Sequence, residues 1–146
     1  TTARVPATGG GNFISLSKNR ASCLSACEIA VNVMSDIGNL ITPFPAGVVR
    51  SGSKVGSKYK ALIASTNDAF CPSLSGITGS KLHKNVNCVM EIVINGLTKE
   101  DIDKGIRESL IAISKSNYRK DIVSVSAGNY GGKLGPHHFH LRKILK

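Results

Sequence analysis

One acidic side chain stands out because of the residues around it. Glu91 interrupts an apolar, β-branched run, VMEIVI, that extends from Val89 to Ile94. Successive side chains of a strand point to opposite faces, so Glu91 should share its face with Val89 and Val93. A carboxyl group that borders an apolar surface is a candidate general acid or base. The alternative is that this face is open to water, or that Glu91 pairs with one of the 19 Lys and Arg side chains.

Two glycine-rich segments have the composition of anion-binding loops. The first spans residues 47–60, and its basic side chains are Arg50, Lys54, Lys58 and Lys60. The second spans residues 126–135, where Asn129 and Tyr130 could orient a ligand beside Lys133. Glycines let backbone N–H groups approach an anion, while lysines supply positive charge. The first segment is not a P-loop, because Ser53 stands where the motif requires Lys. Ordinary glycine-rich bends remain the alternative for both.

Neither the cysteines nor the histidines form a recognisable metal motif. The four cysteines, Cys23, Cys27, Cys71 and Cys88, contain no CxxC pair and are better explained as buried thiols. His137, His138 and His140 form an HHxH cluster, and a strand would place His138 and His140 on one face. The basic residues around this cluster disfavour a cation, so we expect no metal site and assign the histidines to a basic surface.

Hydrophobic periodicity predicts the elements that position these groups. Strands are expected at residues 12–17, 47–50, 86–97 and 121–127, with a last short strand at 139–145. Helices are expected over residues 20–37 and from the capping residue Thr98 to about Ile113. Two prolines forbid a helix at 41–46, residues 61–64 could be a strand or a helical turn, and 65–85 should be mostly irregular. The order predicts an α+β fold, ferredoxin-like, with an antiparallel split βαβ sheet and two helices on one face.

Composition bounds the class of protein. The 146 residues suit one domain over 1–146, and the formal net charge of +10 suggests anionic partners, whether nucleic acid, acidic lipid or small polyanionic molecules. No apolar run is long enough to span a membrane and no signal sequence is visible, so a cytoplasmic protein without membrane contact is expected.

The chain resembles a known family in four segments. These are GGNFISL near the amino end, TPFPAGVVRSGSKVGSKYKALIASTN over 42–67, EIVINGL over 91–97 and SAGNYGGKLG over 126–135. They are similar to formylmethanofuran:tetrahydromethanopterin formyltransferase, and the similarity extends from about Gly10 to Leu141. The resemblance implies an enzyme of one-carbon metabolism with two related ferredoxin-like lobes, of which this chain matches the carboxyl-terminal, distal one.

The resemblance also implies roles for individual residues. The candidate catalytic carboxylate of the family lies in the EIVING segment, which makes Glu91 the catalytic residue here. The expected substrate-binding residues lie inside the matching motifs: Ser51, Gly52, Ser53, Lys54, Tyr59, Lys60, Asn67, Asn129, Tyr130 and Lys133. Methanofuran and tetrahydromethanopterin would act as carrier substrates, without a permanently bound cofactor.

The expected partners follow from the same resemblance. They are the small anionic carriers, the amino-terminal lobe of the same enzyme, and further copies in a homotetramer. The basic balance and the tail GPHHFHLRKILK differ from acidic archaeal members, which raises a bacterial formyltransferase/hydrolase complex as another assembly.

Two other functions compete with this hypothesis. A basic ferredoxin-like domain could bind RNA, although the few aromatic residues and the missing base-stacking signature argue against nucleic acid. A lobe retained only for assembly would share the fold without using Glu91.

Overall fold

A computed structural model describes residues 4–51, 68–77, 79–128 and 135–146. The longer elements are β1 (Thr8–Ser17), α1 (Arg20–Ser35), β4 (Cys88–Gly96), α2 (Lys99–Lys115) and β5 (Ile122–Ser126). Two short strands, β2 (Leu40–Ile41) and β3 (Val49–Arg50), lie between α1 and β4, and a helical turn, α3 (Leu141–Ile144), follows β5. Single 3-10 turns occupy Pro45–Gly47, Asp68–Phe70 and Pro72–Leu74.

The strands form one antiparallel sheet with β4 at its centre. β1 pairs with β4 along one edge, β2 and β3 pair with its other edge, and β5 pairs with the far side of β1. The register places Phe13 opposite Ile92 and Ile14 opposite Glu91. Since directly opposed residues lie on the same face, Phe13 and Ile92 define one face, and Ile14 and Glu91 define the other.

Both long helices cover the face of Phe13 and Ile92. Ala26, Ala30 and Met34 of α1 meet Ile102 and Ile106 of α2 there, and all five are buried. Each fully buried Ile, Met or Phe contributes about 1.5–3 kcal/mol through the apolar surface that it removes from water. The predicted α+β class, with an antiparallel sheet and two helices on one face, is therefore confirmed.

A smaller apolar cluster covers the opposite face. Ile14, Leu16 and Val89 project from the sheet, and Val86, Leu82 and Phe70 of the segment before β4 pack against them. The sheet is thus sealed on both faces over part of its length. This explains why β4 is apolar on both sides instead of alternating with polar residues.

Side chains cap the start of both long helices, and the cap of α2 is the one that the sequence predicts. Asn19 accepts a 2.8 Å hydrogen bond from Ser22 N at the start of α1. Thr98 and Asp101 form a reciprocal capping box at the start of α2. The hydroxyl of Thr98 donates to the carboxylate of Asp101, and this hydrogen bond holds the pKa of Asp101 below its ordinary value.

One prediction from the sequence is wrong. Residues 139–145 do not form a strand, because Leu141–Ile144 is a helical turn that packs on α2. Phe139 and Ile144 are buried there, and Arg107 Nε donates to Ile144 O. Residues 41–46 contain no helix, as the two prolines predict, and include only the start of the 3-10 turn at Pro45–Gly47, within which Ala46 has a left-handed φ of +54°. Residues 61–64 lie outside the described residues.

Gly47 offers a test of the turn before β3. Its φ is +72°, and an added Cβ would lie 2.7–2.9 Å from atoms of Val31 and Thr42. Gly10 also has a positive φ, +76°, but open space around it. Gly47→Ala should therefore cost about 3 kcal/mol from backbone strain and overpacking together, and Gly10→Ala about 1–2 kcal/mol from strain alone. Urea unfolding measures both.

Gly38 is the matched control, because its φ is not positive and an added Cβ would meet nothing within 4 Å. Gly38→Ala should leave the free energy of unfolding within about 0.5 kcal/mol of its starting value. Equal losses at all three glycines would contradict the close packing of Gly47 against α1.

Candidate functional site

Glu91 lies in the middle of the central strand and is buried. Its side chain is 6% exposed, with Ile14 of β1 opposite on one side and Val49 of β3 opposite on the other. Val89 and Val93 precede and follow it on the same face. The apolar setting that the sequence predicts for this carboxyl group is therefore present, and the alternative of a water-exposed face is not.

Asn12 contacts Glu91 directly, which sequence reasoning missed. Its side-chain amide Nδ2 donates a hydrogen bond to Glu91 Oε1, and Asn12 is itself only 5% exposed. The register puts Asn12 opposite Val93, so it is the diagonal neighbour of Glu91 on the same face. The only signal in the sequence was that Asn12 is polar and shares a strand face with Ile14. Its contact with Glu91 depends on the register between β1 and β4, which the local sequence does not specify.

Ser51 is the second predicted site residue that the structure describes. It follows β3 and is completely buried, with its backbone N–H donating to Val89 O at 3.4 Å. Strand alternation places Ser51 and Val49 on the face that carries Glu91, and Arg50 on the other. Within residues 4–51, 68–77, 79–128 and 135–146, no group hydrogen-bonds the Ser51 hydroxyl. A buried hydroxyl without a partner is costly, and the Ser15 hydroxyl shares this feature. What distinguishes Ser51 is its place on the Glu91 face.

The other predicted substrate-binding residues cannot be placed. Gly52, Ser53, Lys54, Tyr59, Lys60, Asn67, Asn129, Tyr130 and Lys133 all lie outside the described residues. The two glycine-rich segments therefore remain predictions, although β3 and β5 show from which strands they extend. β3 pairs with β4 at Glu91 and ends at Arg50. β5 ends at Ser126, which pairs with Ile14 of β1.

A groove of about 520 Å³ lies elsewhere on the lobe, between α1 and the link from β2 to β3. It is lined by Glu28, Val31, Asn32, Thr42, Phe44, Ala46 and Gly47. Neither Glu91 nor Ser51 is among these residues. The groove and the buried carboxyl group are therefore separate features of the described part of the lobe.

Three of the four cysteines gather where α1 meets the start of β4. The thiol of Cys23 donates to Ser15 O at 3.4 Å. Its hydrogen bond with Cys27 lowers the pKa of Cys23 to about 7, and the same contact together with burial raises the pKa of Cys27. Burial, followed by the charge of Cys23, raises the pKa of Cys88 to about 11.

These cysteines and the histidines do not assemble a metal site in the described residues. No group of three or more His, Cys, Asp or Glu there is arranged to hold an ion. The strand geometry expected for His138 and His140 is wrong, because both precede α3 in irregular backbone. Their rings stack at 6.5 Å between centroids.

The thiol cluster predicts an order of chemical reactivity. Cys88 is partly exposed, whereas Cys23 and Cys27 are fully buried. Iodoacetamide should therefore label Cys88 first in the folded chain. Because the raised pKa keeps Cys88 protonated, its rate should rise roughly tenfold per pH unit up to about pH 10. Peptide mass spectrometry reports the site.

In unfolded chains the same rate should level off near the ordinary thiol pKa of 9.0. Cys88→Ser provides the control and should remove the first labelling phase. Rapid labelling of Cys23 in the folded chain would contradict its burial.

The fold and the site define an α+β lobe that buries one carboxyl group at the centre of an antiparallel sheet. A family model described as "FTR, proximal lobe" matches residues 1–144. The chain therefore belongs to the formyltransferase family that the sequence motifs indicate. The description names the matching lobe proximal, so this label replaces the term distal.

Comparisons with known proteins support this family assignment. A formylmethanofuran–tetrahydromethanopterin formyltransferase from Methylobacillus flagellatus is 57% identical over 145 residues, which cover 99% of this chain and 48% of that protein. The crystal structure of the formyltransferase/hydrolase complex from Methylorubrum extorquens with methylofuran contains a chain that is 47% identical, with a TM-score of 0.81. That match covers 94% of this chain and 45% of the other.

A third comparison adds an archaeal structure. The formylmethanofuran:tetrahydromethanopterin formyltransferase from Methanosarcina barkeri is 41% identical, with a TM-score of 0.79, over 93% of this chain and 46% of the other. The chain thus spans about half the length of the relatives it matches. No helix in the described part of the chain has the length and apolar character needed to cross a membrane.

Proposed function

We propose that this chain is a lobe of an enzyme that moves a formyl group between formylmethanofuran and N5 of tetrahydromethanopterin. The observation that carries the proposal is the position of Glu91, a buried carboxyl group on the central strand of a lobe from the formyltransferase family. The relatives that are named for this activity are up to 57% identical to the chain.

The reaction requires a group that handles protons. The N5 amine of the pterin attacks the formamide carbon, and the new C–N bond gives a tetrahedral intermediate with a negative oxygen. N5 must lose its proton, and the methanofuran amine must gain one when its C–N bond breaks. In the proposal, the carboxylate of Glu91 accepts the first proton and the resulting acid donates it to the leaving amine. The formyl group and one proton thus exchange places between the two amines.

Ser51 is proposed to act on the oxygen of the same intermediate. Its hydroxyl is buried on the Glu91 face and has no hydrogen-bond partner within the described ranges. A donor that is already fixed and desolvated stabilises an oxyanion more than it stabilises the neutral carbonyl of the substrate. Backbone N–H groups of the first glycine-rich segment, residues 47–60, are proposed to assist.

The substrates are proposed to be the anionic carriers methanofuran and tetrahydromethanopterin or close variants. The formal net charge of +10 and the two lysine-bearing glycine-rich segments support this class of ligand. The methylofuran complex of the Methylorubrum extorquens relative supports a furan-based carrier. The absence of a permanent cofactor stays a prediction.

The proposed assembly includes another lobe of the same enzyme and further copies in a homotetramer, or the larger formyltransferase/hydrolase complex. Coverage of about half of each relative supports a partner lobe, and the Methylorubrum extorquens structure supports the larger complex. The strand order β2-β4-β1-β5 supports the ferredoxin-like assignment. The family match favours the enzyme over the RNA-binding alternative. A cytoplasmic location stays a prediction.

Glu91→Gln tests the proposed chemistry while keeping the shape of the side chain. The assay uses a chimeric enzyme in which this chain replaces the 145 matched residues of the Methylobacillus flagellatus relative. The substitution should lower kcat for pterin formylation by about 10²–10⁴-fold, because an amide cannot accept and return a proton. Glu108→Gln on the exposed surface of α2 is the matched control and should leave kcat unchanged. Full turnover by the Glu91→Gln enzyme would exclude the acid–base role and favour an assembly lobe.

Ser51→Ala tests the oxyanion role in the same chimeric enzyme. Removing the hydroxyl should lower kcat by about 10²-fold, in the range seen for the loss of one oxyanion donor. The melting temperature should not fall, because the hydroxyl has no hydrogen-bond partner in the described residues. Ser15→Ala provides the control, since Ser15 is equally buried but lies on the helix-covered face of β1. Matching losses of kcat in both variants would indicate a packing effect instead.

A further inference from the structure

The pairing of Asn12 with Glu91 is more specific than burial alone requires. Asn12 Nδ2 donates to Glu91 Oε1, and both side chains are more than nine-tenths buried on one face of the sheet. Burying an amide is unfavourable unless it makes hydrogen bonds, and an apolar residue at position 12 would continue the cluster of Ile14 and Leu16. Asn12 instead supplies a hydrogen-bond donor to the buried carboxyl group, which an apolar residue could not do.

Contacts of the two residues before Asn12 fix the backbone from which its side chain extends. Gly10 N donates to the side-chain oxygen of Asn95 at 2.9 Å, which ties the start of β1 to the end of β4. Gly11 packs so closely on Ile102 of α2 that an added Cβ would lie 2.8 Å from a methyl carbon. Asn12 is thus fixed between two tight contacts before it and the regular pairing with β4 after it.

We propose that Asn12 is a positioning residue that orients the carboxyl group of Glu91 for proton transfer. The inference rests on the proposed function, because it assumes that Glu91 handles the proton. An amide nitrogen only donates, so the contacted oxygen of Glu91 must accept. One oxygen of the carboxyl group is therefore held in place, and this sets the rotamer and plane from which a proton is exchanged. Small misplacements of a catalytic group cost large factors in rate.

Asn12→Ala and the isosteric Asn12→Asp test the inference in the chimeric enzyme described above. Both should lower kcat at least tenfold and change KM by less than about twofold, because the substrate contacts remain while Glu91 loses its donor. Asn12→Asp should lose more, since it puts a second carboxylate beside the first. Ser15→Ala is the control here too, because Ser15 is buried on the same strand as Asn12 but lies on the helix-covered face, so it should leave kcat unchanged.

A double variant separates this inference from the proposed function. If Asn12 acts through Glu91, then Asn12→Ala combined with Glu91→Gln should be no slower than Glu91→Gln alone. Losses that multiply, or an Asn12→Ala enzyme with unchanged kcat, would overturn the positioning role while leaving Glu91 catalytic. Full activity of Glu91→Gln alone would instead overturn the proposed function. Should the alanine variant fail to fold, Asn12→Asp gives the same comparison.

Discussion

The burial of one carboxyl group at the centre of the sheet is the constraint that the rest of the lobe accommodates. Transferring a charged or polar group from water into an apolar setting costs several kcal/mol unless hydrogen bonds replace the lost hydration. Glu91 meets this requirement in part through the amide of Asn12, which is also buried. Because a central strand has neighbours on both edges, the flanking strands must present side chains that tolerate the carboxyl group. β1 supplies both the donor and the apolar contact of Ile14, while β3 supplies Val49.

The two faces of the sheet have different roles, since one carries the larger core and the other carries the proposed site. The helix-covered face contains the larger core, with Phe13, Ile92 and Ile94 against α1 and α2. That face contributes the larger apolar core, although it also buries the Ser15 hydroxyl, which has no hydrogen-bond partner in the described residues, and the thiol cluster at its edge. Among the described residues, the segment before β4 covers the opposite face near Val89. Glu91 and Ser51 lie on this second face, and Ser126, the first residue of the second glycine-rich segment, pairs with Ile14 there.

The sequence predicted those parts whose causes are local. The β-branched run around Glu91 predicted β4, and Thr98 with Asp101 predicted the start of α2 to the residue. Asn12 was missed, because its role depends on how two strands 79 positions apart align. The turn at Leu141–Ile144 was also mispredicted, because its apolar residues suit a strand locally. Its helical form depends on packing against α2, which is distant in sequence. α1 ends at Ser35, two residues before the predicted end at residue 37.

The location proposed for the chemistry rests on burial and electrostatics. The groove beside α1 has one ionisable side chain, Glu28, which is exposed to water. Water screens and hydrates an exposed carboxylate, so its electrostatic interaction with a charge that develops nearby is weak. Glu91 and the Ser51 hydroxyl are both desolvated and held by regular strand pairing. In the proposed reaction, groups fixed in this way would not need to reorganise as the formyl carbon becomes tetrahedral, which is the condition for transition-state stabilisation. The burial of Glu91 and Ser51 therefore favours their face over the groove as the proposed site.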